Sequence, residues 1–314
     1  MNYSSLLDDP CHLMGWLILG LLIISSLAVF CLVRAHPDRD YTELRRRTKS
    51  WWIMASLFFA ALLLSRSITV LFFAFLSFWA FKEYLTLLQT RKSDHRAIVW
   101  AILSIPIQYY WVYTNWYGMF IIFIPVYVFL FLPVRLVLSK DTAGFVASAS
   151  KLHWGLMAFV FGLSHLSMLS GLNLKTQGIA SGASLILFLV FLTEMSDIMQ
   201  FVFGKTFGRH KVIPDVSPHK TWEGLMGGIL STVLFSLILQ FLTPFTLYET
   251  ATAALLITVS GFLGGAVMSA VKRDFGVKDF GTLIPGHGGM IDRVDSLCYA
   301  APLFFHYVRY FHGA

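Results

Sequence analysis

An all-α, polytopic integral membrane protein with about ten transmembrane helices is the fold class this chain predicts. Three observations predict it. Of the 314 residues, 57% are hydrophobic and only 13% charged, more apolar surface than a soluble domain can bury. The apolar residues run in long unbroken stretches without period-two alternation, which selects helices over a barrel. The lysines and arginines are divided very unevenly between alternate loops.

Ten apolar segments can be read in order: 13–33, 51–65, 67–81, 98–113, 116–134, 153–172, 180–203, 223–245, 250–271 and 294–312. The first is too long for the apolar region of a signal peptide and has no basic stretch before it, so it reads as a retained span. The second and third are short and meet at Arg66, as either a hairpin or one over-long helix. The basic residues choose. Of 24 lysines and arginines, 21 fall in alternate loops and 3 in the others if 51–81 is a hairpin. Reading 51–81 as one span breaks that alternation. By the positive-inside rule the rich side is cytoplasmic, with both termini outside. The net charge of +7 is then a matter of topology and of anionic lipid headgroups, and no nucleic-acid partner is expected. Cys11, Cys31 and Cys298 show neither a disulfide framework nor zinc spacing. No internal repeat supports a transporter.

By content the chain has two parts. Residues 1–150 carry spans, short loops and many aromatic residues such as Trp51, Trp52 and Trp79. Residues 151–314 carry nearly all the polar signals. Glu194 and Asp197 share a helix face near the end of the seventh segment. The loop Gly204–Gly224 follows, with Lys205, Arg209, Lys211 and Lys220. Its Ser217-Pro218 and Lys220-Thr221 read as a turn feeding a helix that begins near Glu223, and free N–H groups at such a start attract phosphate. Its Gly-Lys-Thr is not a Walker A motif, lacking the upstream glycine spacing. The densest signal is Ser269–Asp295. Lys272, Arg273 and Lys278 there suit a triphosphate. Asp279, Asp292 and Asp295 offer hard oxygens suited to Mg²⁺. Gly286, Gly288 and Gly289 allow consecutive N–H groups to form an anion nest around His287. Together these point to metal-assisted nucleotidyl or phosphoryl transfer at the cytoplasmic face.

At these residues the chain resembles the phosphatidate cytidylyltransferases. Ser269, Val271, Lys272, Arg273, Lys278, Asp279, Gly281, Ile284, Pro285, His287, Gly288, Gly289, Asp292, Arg293 and Asp295 match the family signature, and Ser217–Gly224 matches a second family string. The resemblance covers about 150–314. It implies that CTP and phosphatidate give CDP-diacylglycerol and pyrophosphate with Mg²⁺. It implies catalytic roles for Asp279, Asp292, Lys272 and Arg273, and metal ligands at Asp292, Asp295 and Asp197. It implies substrate contacts at Lys220, Thr221, Lys278, His287, Gly288, Gly289, Ser217 and Arg293. A bacterial inner membrane, contact with membrane lipids and a homodimer are further expectations. Two departures stand out. Gly265 and Met268 occupy positions where the family carries an acidic pair. After Asp197 the chain reads Ile198-Met199-Gln200-Phe201, where the family reads Thr, any residue, Ala and Tyr. Glu194 or Asp274 are candidates to compensate. A divergent paralogue acting on another lipid phosphate or a prenol, or a weakly active or non-catalytic binding protein, remains an alternative.

Overall fold

A computed structural model describes residues 10–37, 39–174 and 181–313. Each of the ten apolar segments contains a helix among the described residues. In chain order these are α1 (Pro10–Ala35), α2 (Thr42–Leu64), α3 (Arg66–Leu87), α4 (His95–Tyr113), α5 (Tyr117–Val137), α6 (Phe145–Leu169) and α7 (Gly182–Phe207). A hairpin of β1 (Lys211–Ile213) and β2 (Ser217–Thr221) follows, then α8 (Trp222–Ile238), α9 (Leu247–Asp274), the short α10 (Ile291–Val294) and α11 (Leu297–His312). Six of them, α1, α3, α5, α6, α7 and α9, are long and apolar enough to cross a membrane. The chain is thus an integral membrane protein built almost wholly of helix.

The break between the second and third segments falls at Ser65. Its backbone is extended and its hydroxyl accepts from Ile68 N at 3.3 Å, capping α3. Thr69 Oγ1 donates to Ala61 O at 2.8 Å across the bend. Neither helix is short. α2 begins at Thr42, so its first turns include Arg45, Arg46, Arg47 and Lys49, because long cationic side chains at a helix end can reach out of the hydrocarbon. α8 is shorter than its apolar run and ends at Ile238, before a 3-10 turn at Gln240–Leu242. The β-hairpin was not anticipated. It is antiparallel, pairing Lys211 with Thr221 and Ile213 with Ser217 around a bulge.

Loops of one charge class contact each other. At one end Arg66 donates to Asn115 Oδ1, Asn115 donates to Gly171 O, and His312 meets Glu249 at 3.2 Å. At the other end Ser50 donates to Pro285 O, Arg91 lies 3.6 Å from Asp141, and Arg273 donates to Val216 O. Lys175, counted in a basic-poor loop, lies outside the described residues.

The core holds Phe81, Phe120, Phe159, Phe188, Phe304 and Phe305, all fully buried. Leu17, Leu21, Ile24 and Leu27 of α1 stay exposed, as a lipid-facing helix requires. In hydrocarbon, helices associate through close packing rather than through release of water, so small residues matter. A Cβ on Gly224 would lie 2.7 Å from Gln200 O, and one on Gly162 would lie 2.7 Å from Cys298 O. These contacts draw α8 onto α7 and α6 onto α11. The first of them sets the width of the pocket described next.

Candidate active site

Five elements meet at a pocket of about 240 Å³. From α7 come Asp197, Gln200 and Phe201. From β2 come His219, Lys220 and Thr221, and from the start of α8 Gly224 and Leu225. Phe262, Gly265 and Ser269 come from α9, and Asp295 and Ser296 precede α11. Thr221 explains why the chain turns here. Its hydroxyl accepts from Gly224 N at 3.1 Å and caps α8. The strand before it therefore delivers Lys220 inward. A larger cleft of about 440 Å³ lined by Val137, Asp141, Thr142 and Phe145 gathers no comparable set of polar groups.

Ser296 links the two carboxylates of the pocket. Its hydroxyl donates to Asp197 Oδ2 at 2.8 Å and its N–H donates to Asp295 Oδ1 at 2.7 Å. Two such carboxylates gain from a shared cation. Lys220 supplies one charge. Its ammonium donates to Phe262 O at 3.3 Å and sits 4.3 Å from the centre of the Phe262 ring. Burial pulls its pKa down, opposed by Asp197 and Asp295.

The geometry explains one departure in the sequence. A Cβ at Gly265 would lie 3.2 Å from Lys220 Nζ and 3.6 Å from Ser296 Oγ. The space beside residue 265 therefore belongs to an ammonium. Met268, fully buried in the core, does not line the pocket. Met268→Glu is expected to lower stability by several kcal/mol, because it buries a carboxylate with no partner. A melting curve of the purified protein in detergent checks this, and an unchanged midpoint would contradict the placement.

Beside the pocket stands a second polar cluster. Asp292 Oδ2 accepts from Phe280 N at 3.0 Å and Gly289 N at 2.9 Å, and Lys272 Nζ lies 2.6 Å from Oδ1. Lys272 also lies 5.3 Å from the Phe280 ring centre. Gly288 has φ +81°, and a Cβ there would meet Asp292 Oδ2 at 2.7 Å, so only glycine fits the turn. Met290 N and Ile291 N donate to Glu83 at 2.9 and 3.0 Å. The N–H groups of Gly289, Met290 and Ile291 are thus taken by carboxylates of the chain itself. The anion nest expected around Gly288 and Gly289 is filled from within at those three amides.

The structure gathers some predicted residues and separates others. Asp197, Lys220, Thr221 and Asp295 share the pocket, and Lys272, Asp292, Gly288 and Gly289 form the adjoining clamp. Arg273, Asp274, Lys278 and Asp279 are exposed at the end of α9 and the turn after it. Ser217 pairs with Ile213 in the hairpin, outside the pocket lining. His287 packs edge-on against Trp51, with ring centres 5.9 Å apart, and burial lowers its pKa. Arg293 is half-buried, and its Nε has no hydrogen-bond partner among the described residues. Glu194 is not in the pocket lining. Glu223, at the start of α8, accepts from Arg209 N and His210 N and lies 2.6 Å from His210 Nδ1, because the hairpin folds back onto the helix start. Sequence reasoning missed Glu83 and Ser296. An acidic residue at the end of an apolar run was the available signal for Glu83.

Among the described residues, no group of three or more His, Cys, Asp or Glu side chains is gathered to hold a metal ion. The donor chemistry nevertheless suits Mg²⁺, which takes one or two carboxylates and completes its shell with water and substrate phosphates. Asp197 and Asp295 face one polar pocket, whereas both oxygens of Asp292 are engaged by Lys272 and backbone N–H groups.

Residues 45–311 match the cytidylyltransferase family. The chain belongs to that family. Over 292 residues it is 44% identical to a protein of Escherichia coli (strain K12) described as "Uncharacterized protein YnbB", covering 93% of this chain and 96% of that one. It is 38% identical over 126 residues to a phosphatidate cytidylyltransferase of Staphylococcus epidermidis (strain RP62A) and 36% identical to that of Staphylococcus aureus (strain COL). Those matches cover 40% of this chain and 48% of each relative. The chain therefore spans about half the length of the phosphatidate cytidylyltransferases it matches.

Proposed function

We propose that this protein transfers a cytidylyl group from CTP to phosphatidate, releasing pyrophosphate, at the cytoplasmic face of a bacterial inner membrane. It does so with ten crossings and both termini outside. The observation that carries the reading is Asp197, Asp295 and Lys220 in one pocket, beside the Lys272–Asp292 pair. A lipid phosphate oxygen attacks the α-phosphorus of CTP, and the bond to the β-phosphate bridging oxygen breaks. The work of the protein is to align the two phosphates and offset their charge. Lys220 and Lys272 hold phosphate oxygens. Asp292 keeps Lys272 pointed and fixes the turn at Phe280 and Gly289. Asp197 and Asp295, oriented by Ser296, would hold Mg²⁺, which when bound supplies further neutralisation of the triphosphate. The pocket is small for a whole nucleotide, so it suits the phosphates, with the base lying outside. Pyrophosphate release by purified protein with CTP, phosphatidate vesicles and Mg²⁺ tests this. Release that requires all three supports the reading, and none under any metal contradicts it.

A second acceptor, another lipid phosphate or a prenol, is favoured by one observation. Gly265 leaves the Lys220 ammonium facing the pocket where the resemblance leads one to expect a carboxylate. Replacing phosphatidate by those acceptors in the same assay separates the two.

A further inference from the structure

Glu83 is a buried carboxylate that the scheme above does not use. It sits near the C-terminal end of α3, in the half of the chain without signature residues, and is 9% exposed. Burying a carboxylate there is costly unless its oxygens are satisfied. Among the described residues, they are satisfied by one loop. Oε1 accepts from Met290 N at 2.9 Å, and Oε2 accepts from Ile291 N at 3.0 Å. Gly281 and Gly289 line the slot. A Cβ on the first would lie 2.7 Å from Oε1, and one on the second 2.6 Å from Oε2. The slot therefore closes around the carboxylate on both sides.

The next amide along the loop, Gly289 N, goes to Asp292, as does Phe280 N. Four N–H groups of one loop are thus divided between two carboxylates from distant parts of the sequence. Hydrogen bonds to an ionised acceptor are about twice as strong as neutral ones. Without Glu83, Met290 N and Ile291 N lose their acceptor, directly before Asp292 and between it and Gly289. We infer that Glu83 is a positioning residue, which acts on the reaction by fixing the loop that aims Asp292 and Lys272.

Its kinetic part rests on the cytidylyl-transfer reading, whereas its structural part does not. The test uses purified Glu83→Leu, which fills the slot without an acceptor, and Glu83→Gln, which keeps one acceptor oxygen. Amide hydrogen exchange at Met290 and Ile291 should accelerate in Glu83→Leu while the rest of α3 is unchanged. Its kcat should fall roughly a hundredfold with KM for CTP within about threefold, because Lys220 still binds the triphosphate while the aim of Lys272 at the reacting phosphates is lost. Glu83→Gln should lie between. Equal exchange and equal turnover in Glu83→Leu and Glu83→Gln would reduce Glu83 to packing and overturn the inference. If Glu83→Leu does not fold, wild-type exchange and turnover in Glu83→Gln overturn it equally. If wild-type protein shows no CTP turnover, the cytidylyl reading fails, and exchange at the two amides still decides the role of Glu83.

Discussion

Asp292→Asn reduces CTP-dependent turnover by on the order of a thousandfold, because Lys272 is no longer preorganised toward the phosphates. The change removes one charge and leaves the shape. Lys272 Nζ, 2.6 Å from Oδ1 and largely buried, loses its counter-charge. The two N–H donors, Phe280 and Gly289, then depend on one neutral oxygen. The turn around Gly288 loosens, and Lys272 no longer points where the phosphates pass. Membrane insertion is unaffected, since Asp292 lies outside the long apolar helices. Size-exclusion profile and helical content of the purified variant check that insertion holds, and initial rates with CTP check the loss. Near-normal rates in a well-folded variant would remove Asp292 from the site.

Lys220→Met ranks second, with a loss of roughly a hundredfold or more in kcat/KM for CTP, as expected when one preorganised charge is removed. Its ammonium faces Asp197 and Asp295 in the pocket and rests on the Phe262 carbonyl and ring. Methionine preserves the stem and deletes the charge. Lys220→Arg should not restore activity. The pocket fits a compact ammonium close to the backbone of Gly265, and a planar guanidinium needs more room. Gly265→Asp bears on the same point from the other side, because a new carboxylate at 265 would reach Lys220 and compete with phosphate for it. Its KM for CTP should rise about tenfold, on the scale of one charge-assisted hydrogen bond. A fall in KM would mean that Lys220 is not the phosphate ligand.

The helical bundle was legible because hydrocarbon demands long apolar runs, and the basic residues alone divided 51–81 at the right place. The structure breaks the chain at Ser65, next to Arg66. The dense stretch after Ser269 was legible as a site for the same reason: charge in such a chain needs an explanation. The internal use of that charge was not. Nothing in the one-dimensional pattern separates Asp292, buried on Lys272 and two N–H groups, from Asp279, exposed on a turn thirteen residues before it. The identity of the amide acceptors depends on α3, and Glu83 looked like a loop residue at the end of its segment. The same holds at Gly265. From sequence it was a missing carboxylate, whereas in three dimensions it is the space that lets Lys220 in. Long-range contacts made these assignments, and periodicity carries no record of them.

Cytidylyl transfer, as proposed, passes the α-phosphate of CTP, with its nucleoside, to a lipid phosphate, and the position of a label in CTP reports it. Purified protein in vesicles containing phosphatidate is given Mg²⁺ and CTP labelled at either the α- or the γ-phosphate, and label in the organic phase is counted. Cytidylyl transfer predicts that α-label enters the lipid and γ-label stays in water as pyrophosphate, with neither transfer in Asp292→Asn. Appearance of γ-label in the lipid would make the protein a CTP-dependent kinase, and absence of both labels would contradict the account.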